Sequence, residues 1–93
     1  MVKHIVMWKF KPGTEEQADL FVTKLRGLMG VIPELRSCEV AKNCLEGGWD
    51  AALIAEFDSY EALETYKNDP RHVAVSDLCK SIRIERAAVD YEF

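Results

Sequence analysis

Val2-Lys3-His4-Ile5-Val6-Met7-Trp8-Lys9-Phe10-Lys11 opens the chain as one long strand. Alternation places Val2, His4, Val6, Trp8 and Phe10 on one face, and Lys3, Ile5, Met7, Lys9 and Lys11 on the other. The first face is apolar apart from His4 and belongs on a core. The second is apolar only in its middle, at Ile5 and Met7. It needs a cover, and no spare element of the chain remains to supply one. The strand therefore predicts a sheet with helices on one side and a second subunit on the other.

Working outward, Pro12-Gly13 turns the chain and Thr14-Glu15-Glu16-Gln17 has the form of a capping box. A helix follows with Ala18, Phe21, Leu25, Leu28 and Ile32 on one stripe, ending near Met29 or Gly30. Leu35 to Lys42 reads as a second strand, polar enough to lie near an edge. The turn residues Asn43 to Gly48 join it to a third strand, Trp49 to Phe57. Ala51, Leu53, Ala55 and Phe57 share one face of that strand; Ala52 and Ile54 occupy the other. The small alanines leave room beneath a helix for a side chain or a ligand.

Asp58 and Glu61 signal a second helix, with Asp58 as the N-cap. That helix must break at Asn68-Asp69-Pro70, because proline lacks the amide proton and pushes the preceding residue out of the helical region. Asp69 and Pro70 are in turn a good cap and a good first residue, so a short helix restarts and runs to about Lys80 with His72, Val75 and Cys79 on one face. Ser81 to Tyr91 forms the last strand. The order β-α-β-β-α-β defines an α+β fold in one domain over residues 1–93. It predicts a ferredoxin-like sandwich, a four-stranded antiparallel sheet with both helices on one face. Two copies packed sheet to sheet would bury Ile5, Met7, Ala52 and Ile54 and make a dimeric α+β barrel.

Composition narrows the function. Hydrophobic content of 48% and charged content of 30% are those of an ordinary globular protein. No apolar run approaches the roughly 20 residues of a membrane span, and the N-terminus lacks a signal sequence, so a soluble cytoplasmic protein without a membrane partner is expected. A net charge of −4 with scattered bases argues against nucleic acid. Cys38, Cys44 and Cys79 are odd in number and lack metal-ligand spacing, which predicts reduced thiols and neither a metal site nor another cofactor.

Chemistry, where the chain offers any, gathers at Tyr66-Lys67-Asn68-Asp69-Pro70-Arg71-His72. A neutral histidine abstracts a proton near pH 7, and a tyrosine hydroxyl can donate to a carbonyl oxygen as charge builds on it. Together they equip a site for proton abstraction beside a carbonyl, as in aldol condensation, cyclisation or isomerisation. His4 faces the same helix-covered side of the sheet. The plainer reading makes His72 a brace for the helix start, Tyr66 a core residue, His4 a satisfied core histidine, and Trp8 and Phe10 ordinary core. Both readings stand on the residues alone.

The opening strand, Gly48-Trp49-Asp50, the segment Tyr66 to His72 and the closing Val89-Asp90-Tyr91, in this order and spacing, resemble the stress-responsive α/β barrel domain (Dabb) family over nearly the whole chain. The resemblance implies a homodimeric barrel with a small-molecule cavity and, for most members, no established activity. A plant cyclase of the family implies more: His72 as catalytic base, Tyr66 as its tyrosine and His4 as a pocket histidine. A further pocket histidine of that cyclase falls on Ala51, aromatic pocket positions fall on Val22, Leu25, Val75 and Arg83, and an apolar one falls on Arg86. Val6, Trp8 and Leu53 complete the expected lining. Such a cavity would be more cationic, and the two arginines, where they face it, would favour an anionic ligand. The function thus lies between a small-molecule-binding stress-response homodimer and a cyclase- or isomerase-like enzyme. A dimeric-barrel monooxygenase shares the fold but no motif present here.

Overall fold

The computed structural model describes all 93 residues. The elements are β1 (Val2–Phe10), α1 (Glu15–Arg26), β2 (Ser37–Lys42), β3 (Ala51–Phe57), α2 (Tyr60–Asn68), α3 (Pro70–Ile82) and β4 (Arg83–Glu92). The strands form one antiparallel sheet in the order β2-β3-β1-β4, with β2 and β4 at its edges. This is the ferredoxin-like arrangement that the element order predicts.

The two faces of the sheet differ as the alternation requires. Val2, His4, Val6 and Trp8 of β1 are buried, as are Ala51, Leu53, Ala55 and Phe57 of β3. On the other face Ile5 and Met7 are half-buried and Ala52 and Ile54 are exposed. Register lines up Ile54, Ile5 and Val89 across three adjacent strands, so the uncovered face carries a continuous apolar row. Along α1, Ala18, Phe21, Val22 and Leu25 are buried, and the indole of Trp8 meets Phe21 edge-on at 5.0 Å. Truncating Trp8 to alanine would cost about 3–5 kcal/mol, the range for a large aromatic in a packed core. Arg26 ties the end of α1 to the sheet by donating to the Val40 carbonyl at 2.7 Å.

Four helix boundaries depart from the sequence expectation. The Thr14 hydroxyl donates to the Lys11 carbonyl at 2.6 Å and caps no amide of α1. Its backbone (φ −110, ψ 24) is not the extended conformation in which a cap reaches forward. α1 stops at Arg26, where the Leu28 amide shifts to the Leu25 carbonyl and tightens the last turn. At α2 the cap is Ser59, which accepts from the Ala62 amide at 3.1 Å; Asp58 is drawn away into two bonds with the Arg36 guanidinium, at 3.1 and 2.9 Å. The restart at α3 is as expected, with the Asp69 carboxylate accepting from the Arg71 amide at 2.8 Å, although the helix continues past Lys80 to Ile82. No helix is long and apolar enough to cross a membrane.

Candidate functional site

The break between α2 and α3 builds one side of the site. In an unbroken helix the Lys67 carbonyl would receive the Arg71 amide, but that amide is bound to Asp69. The freed carbonyl instead accepts from Nδ1–H of His72 at 3.2 Å. Because a carbonyl only accepts, His72 holds its proton on Nδ1 and keeps the Nε2 lone pair free. The Tyr66 ring braces His72, with ring centroids 4.3 Å apart.

The sheet supplies the other side. Register places Asp90 of β4 beside His4 of β1, and the carboxylate accepts from Nδ1–H of His4. His4 is therefore also fixed as the Nδ1–H tautomer with a free Nε2. Phe57 joins the halves, edge-on to His4 at 6.4 Å and tilted against Tyr66 at 5.0 Å.

Both imidazoles titrate below the ordinary histidine value. For His4 the main cause is burial, partly offset by its bond and charge interaction with Asp90. For His72 burial again leads, the Lys67 carbonyl opposes it, and the charges of His4, Lys67 and Arg86 push the same way as burial. Both are neutral near pH 7, the protonation state a general base requires.

His4 and His72 open onto one cavity of about 260 Å³. Val6 and Trp8 of β1, Leu53 of β3, and Phe21 and Leu25 of α1 give it an apolar floor. Ser76 and Cys79 of α3 add a hydroxyl and a thiol, and burial pushes the Cys79 thiol up to about 11, so it is no nucleophile at neutral pH. Lys67, Lys80, Arg83 and Arg86 complete the wall, and no aspartate or glutamate lines it.

Of the residues singled out in the sequence, His4, His72, Val6, Trp8, Leu25, Leu53, Arg83 and Arg86 therefore meet at the cavity. Val22 and Val75 do not reach it and are core residues, because Phe21 and Leu25, one helical turn apart, present α1 to the cavity. Ala51 lies opposite Trp8 in the register and borders a groove on the uncovered sheet face. Tyr66 touches His72 but is not on the wall; its hydroxyl is buried without a hydrogen-bond partner, and burial raises its pKa. Asp90, Lys67 and Lys80 are site residues that the sequence reading missed. Asp90 had a faint signal, sharing with Arg86 the alternation of β4.

Comparisons with known proteins agree with this architecture. The family model described as the stress responsive A/B barrel domain (Dabb) matches residues 2–93. Olivetolic acid cyclase of Cannabis sativa is 28% identical over 95 residues, spanning 97% of this chain and 94% of the cyclase. A dimeric protein of unknown function and ferredoxin-like fold from Bacteroides fragilis is 35% identical, with a TM-score of 0.89 over 99% of this chain and 95% of that one. A dimeric ferredoxin-like protein of unknown function from Thermobifida fusca, 24% identical with a TM-score of 0.87 over 99% and 90% of the two chains, bears on the fold alone. With a match that omits only the first residue, the chain belongs to the stress responsive A/B barrel domain family.

Proposed function

We propose that this chain works as a homodimer whose cavity binds a small carbonyl compound and moves a proton at the carbon beside the carbonyl. One observation carries the reading: two neutral imidazoles, each with Nδ1–H engaged by a fixed acceptor, share one cavity. In the proposed step Nε2 of His72 takes the C–H proton, the C–H pair becomes the C=C bond of an enolate, the carbonyl π pair moves onto oxygen, and the Arg86 guanidinium balances the oxyanion. Where the enolate is conjugated with a second double bond, return of the proton to the far carbon gives an isomer. Attack of the enolate on a second carbonyl of the same molecule forms a C–C bond, and the His72 imidazolium then protonates the alkoxide, completing an aldol cyclisation. Likeness to a cyclase supports the second outcome. A cavity of about 260 Å³ favours a compact substrate, being below the ~300–1,000 Å³ usual for drug-sized ligands.

His4, oriented by Asp90, serves as the second base. Tyr66 is a positioning residue through its ring. The homodimer is supported by the apolar row on the uncovered sheet face and by the dimeric state of the Bacteroides fragilis protein.

Deuterium exchange tests the proton transfer. In D₂O the protein should speed label uptake beside the carbonyl of cyclohexanone or 2-oxobutanoate, and His72→Ala should slow it about 100-fold or more. Tyr66→Phe keeps the ring packing and should exchange nearly as wild type, and a large loss there would return the donor role to the hydroxyl. Equal exchange with wild type and His72→Ala would refute the reading.

A further inference from the structure

The charge on the cavity wall runs against the charge of the chain. Acids outnumber lysines and arginines by 16 to 12, yet the wall holds Lys67, Lys80, Arg83 and Arg86 and no acid. Lys80, Arg83 and Arg86 make no ion pair, and Lys67 has only a 4.0 Å contact with the exposed Glu64. Outside the cavity Arg36, Lys42 and Arg71 pair with acids while Lys3, Lys9, Lys11, Lys24 and Arg26 do not, so what sets the four apart is their convergence on one cavity. Lys80 and Arg86 are exposed and Lys67 and Arg83 half-buried, so water hydrates the four in the free protein, and an anion bound in the cavity gains from all of them. They come from two places, Lys67 from the end of α2 and the other three from the junction of α3 and β4.

We infer that the cavity takes a small organic dianion, held by Lys67 at the helix break together with Lys80, Arg83 and Arg86 at the α3–β4 junction. The inference rests on reading this cavity as a ligand site. A monoanion held by the two arginines would leave Lys67 and Lys80 uncompensated; a second negative group engages them. The charges of Lys67 and Arg86 both reach His4 and His72, so a ligand spanning the two cations lies against the imidazoles. A guanidinium binds carboxylate or phosphate through paired hydrogen bonds, so a short dicarboxylate and a small phosphate monoester share the required chemistry.

Calorimetric titration of the full chain at low salt separates these cases, with glutarate and 2-phosphoglycolate as dianions, butanoate as monoanion and glutaramide as neutral control. At least one dianion should bind about tenfold or more tightly than butanoate, and whichever does so identifies carboxylate or phosphate. Added salt should weaken that binding. Arg86→Gln and Lys67→Gln should each lose about tenfold for the dianion while keeping the wild-type circular dichroism spectrum. Dianions that bind no more tightly than butanoate or glutaramide, indifference to both substitutions, or no binding by any probe would overturn the inference. If cyclohexanone still exchanges through His72 while dianions show no preference, the inference alone fails. A dianion that binds through Arg86 in a protein without exchange activity supports the inference and removes the proton-transfer reading.

Discussion

His72 and His4 are held by different means, and substitutions around them should report that difference. The Asp90 charge opposes the burial that lowers His4, so Asp90→Asn should lower the His4 pKa further while His72 changes much less. An NMR pH titration reads this directly, and a rise would contradict the assigned pair. Both imidazoles have folded pKa values below the ordinary 6.5, so the unfolded chain takes up protons first as pH falls. Their contribution to stability is complete above 6.5 and is lost as pH falls through the folded values. The melting temperature should therefore drop on acidification from pH 7 to 5, and the drop should shrink in the double variant His4→Gln with His72→Gln. The two histidines were legible in the sequence because residue type and strand face suffice to place them. Asp90 was not, because only the pairing of the first and last strands brings it to His4. Nor was the direction of the Tyr66 hydroxyl, since a helix that ends at a proline leaves its final phase to tertiary packing.

At the scale of elements, the break between α2 and α3 creates the histidine site, and its cap is the part to test. Asp69→Ala removes the acceptor of the Arg71 amide and should cost about 1 kcal/mol, the usual worth of an N-cap. Urea unfolding measures it. The same change at Ser59 should cost about as much, whereas Asp58→Ala loses only an exposed, solvent-screened ion pair and should cost less than either. The ranking matters because the sequence pointed to Asp58. Asp58 is a good cap by type, but its partner Arg36 lies across a connection between elements, and no local pattern registers that competition. Strand faces, by contrast, were readable throughout β1 and β3, because a residue alternation survives whatever packs against it.

For the whole molecule, the row Ile54, Ile5 and Val89 leaves an apolar sheet face without cover from its own chain. Light scattering should give twice the 10.6 kDa chain mass, and Ile54→Asp should yield a monomer. A wild-type monomer would remove the barrel. The sequence exposed this need through Ile5 and Met7, and the family resemblance pointed to Arg83 and Arg86, whereas Lys67 and Lys80 joined them only once α3 and β4 were seen to meet α2 around one cavity. That cavity brings His4 from the first strand and His72 from the helix break together, both neutral and both with Nε2 free. Long-range proton–nitrogen NMR of the uniformly ¹⁵N-labelled protein at pH 7 tests it most directly. Both imidazoles should give the pattern of a neutral ring protonated on Nδ1; a charged ring, or a proton on Nε2 of either histidine, would contradict it.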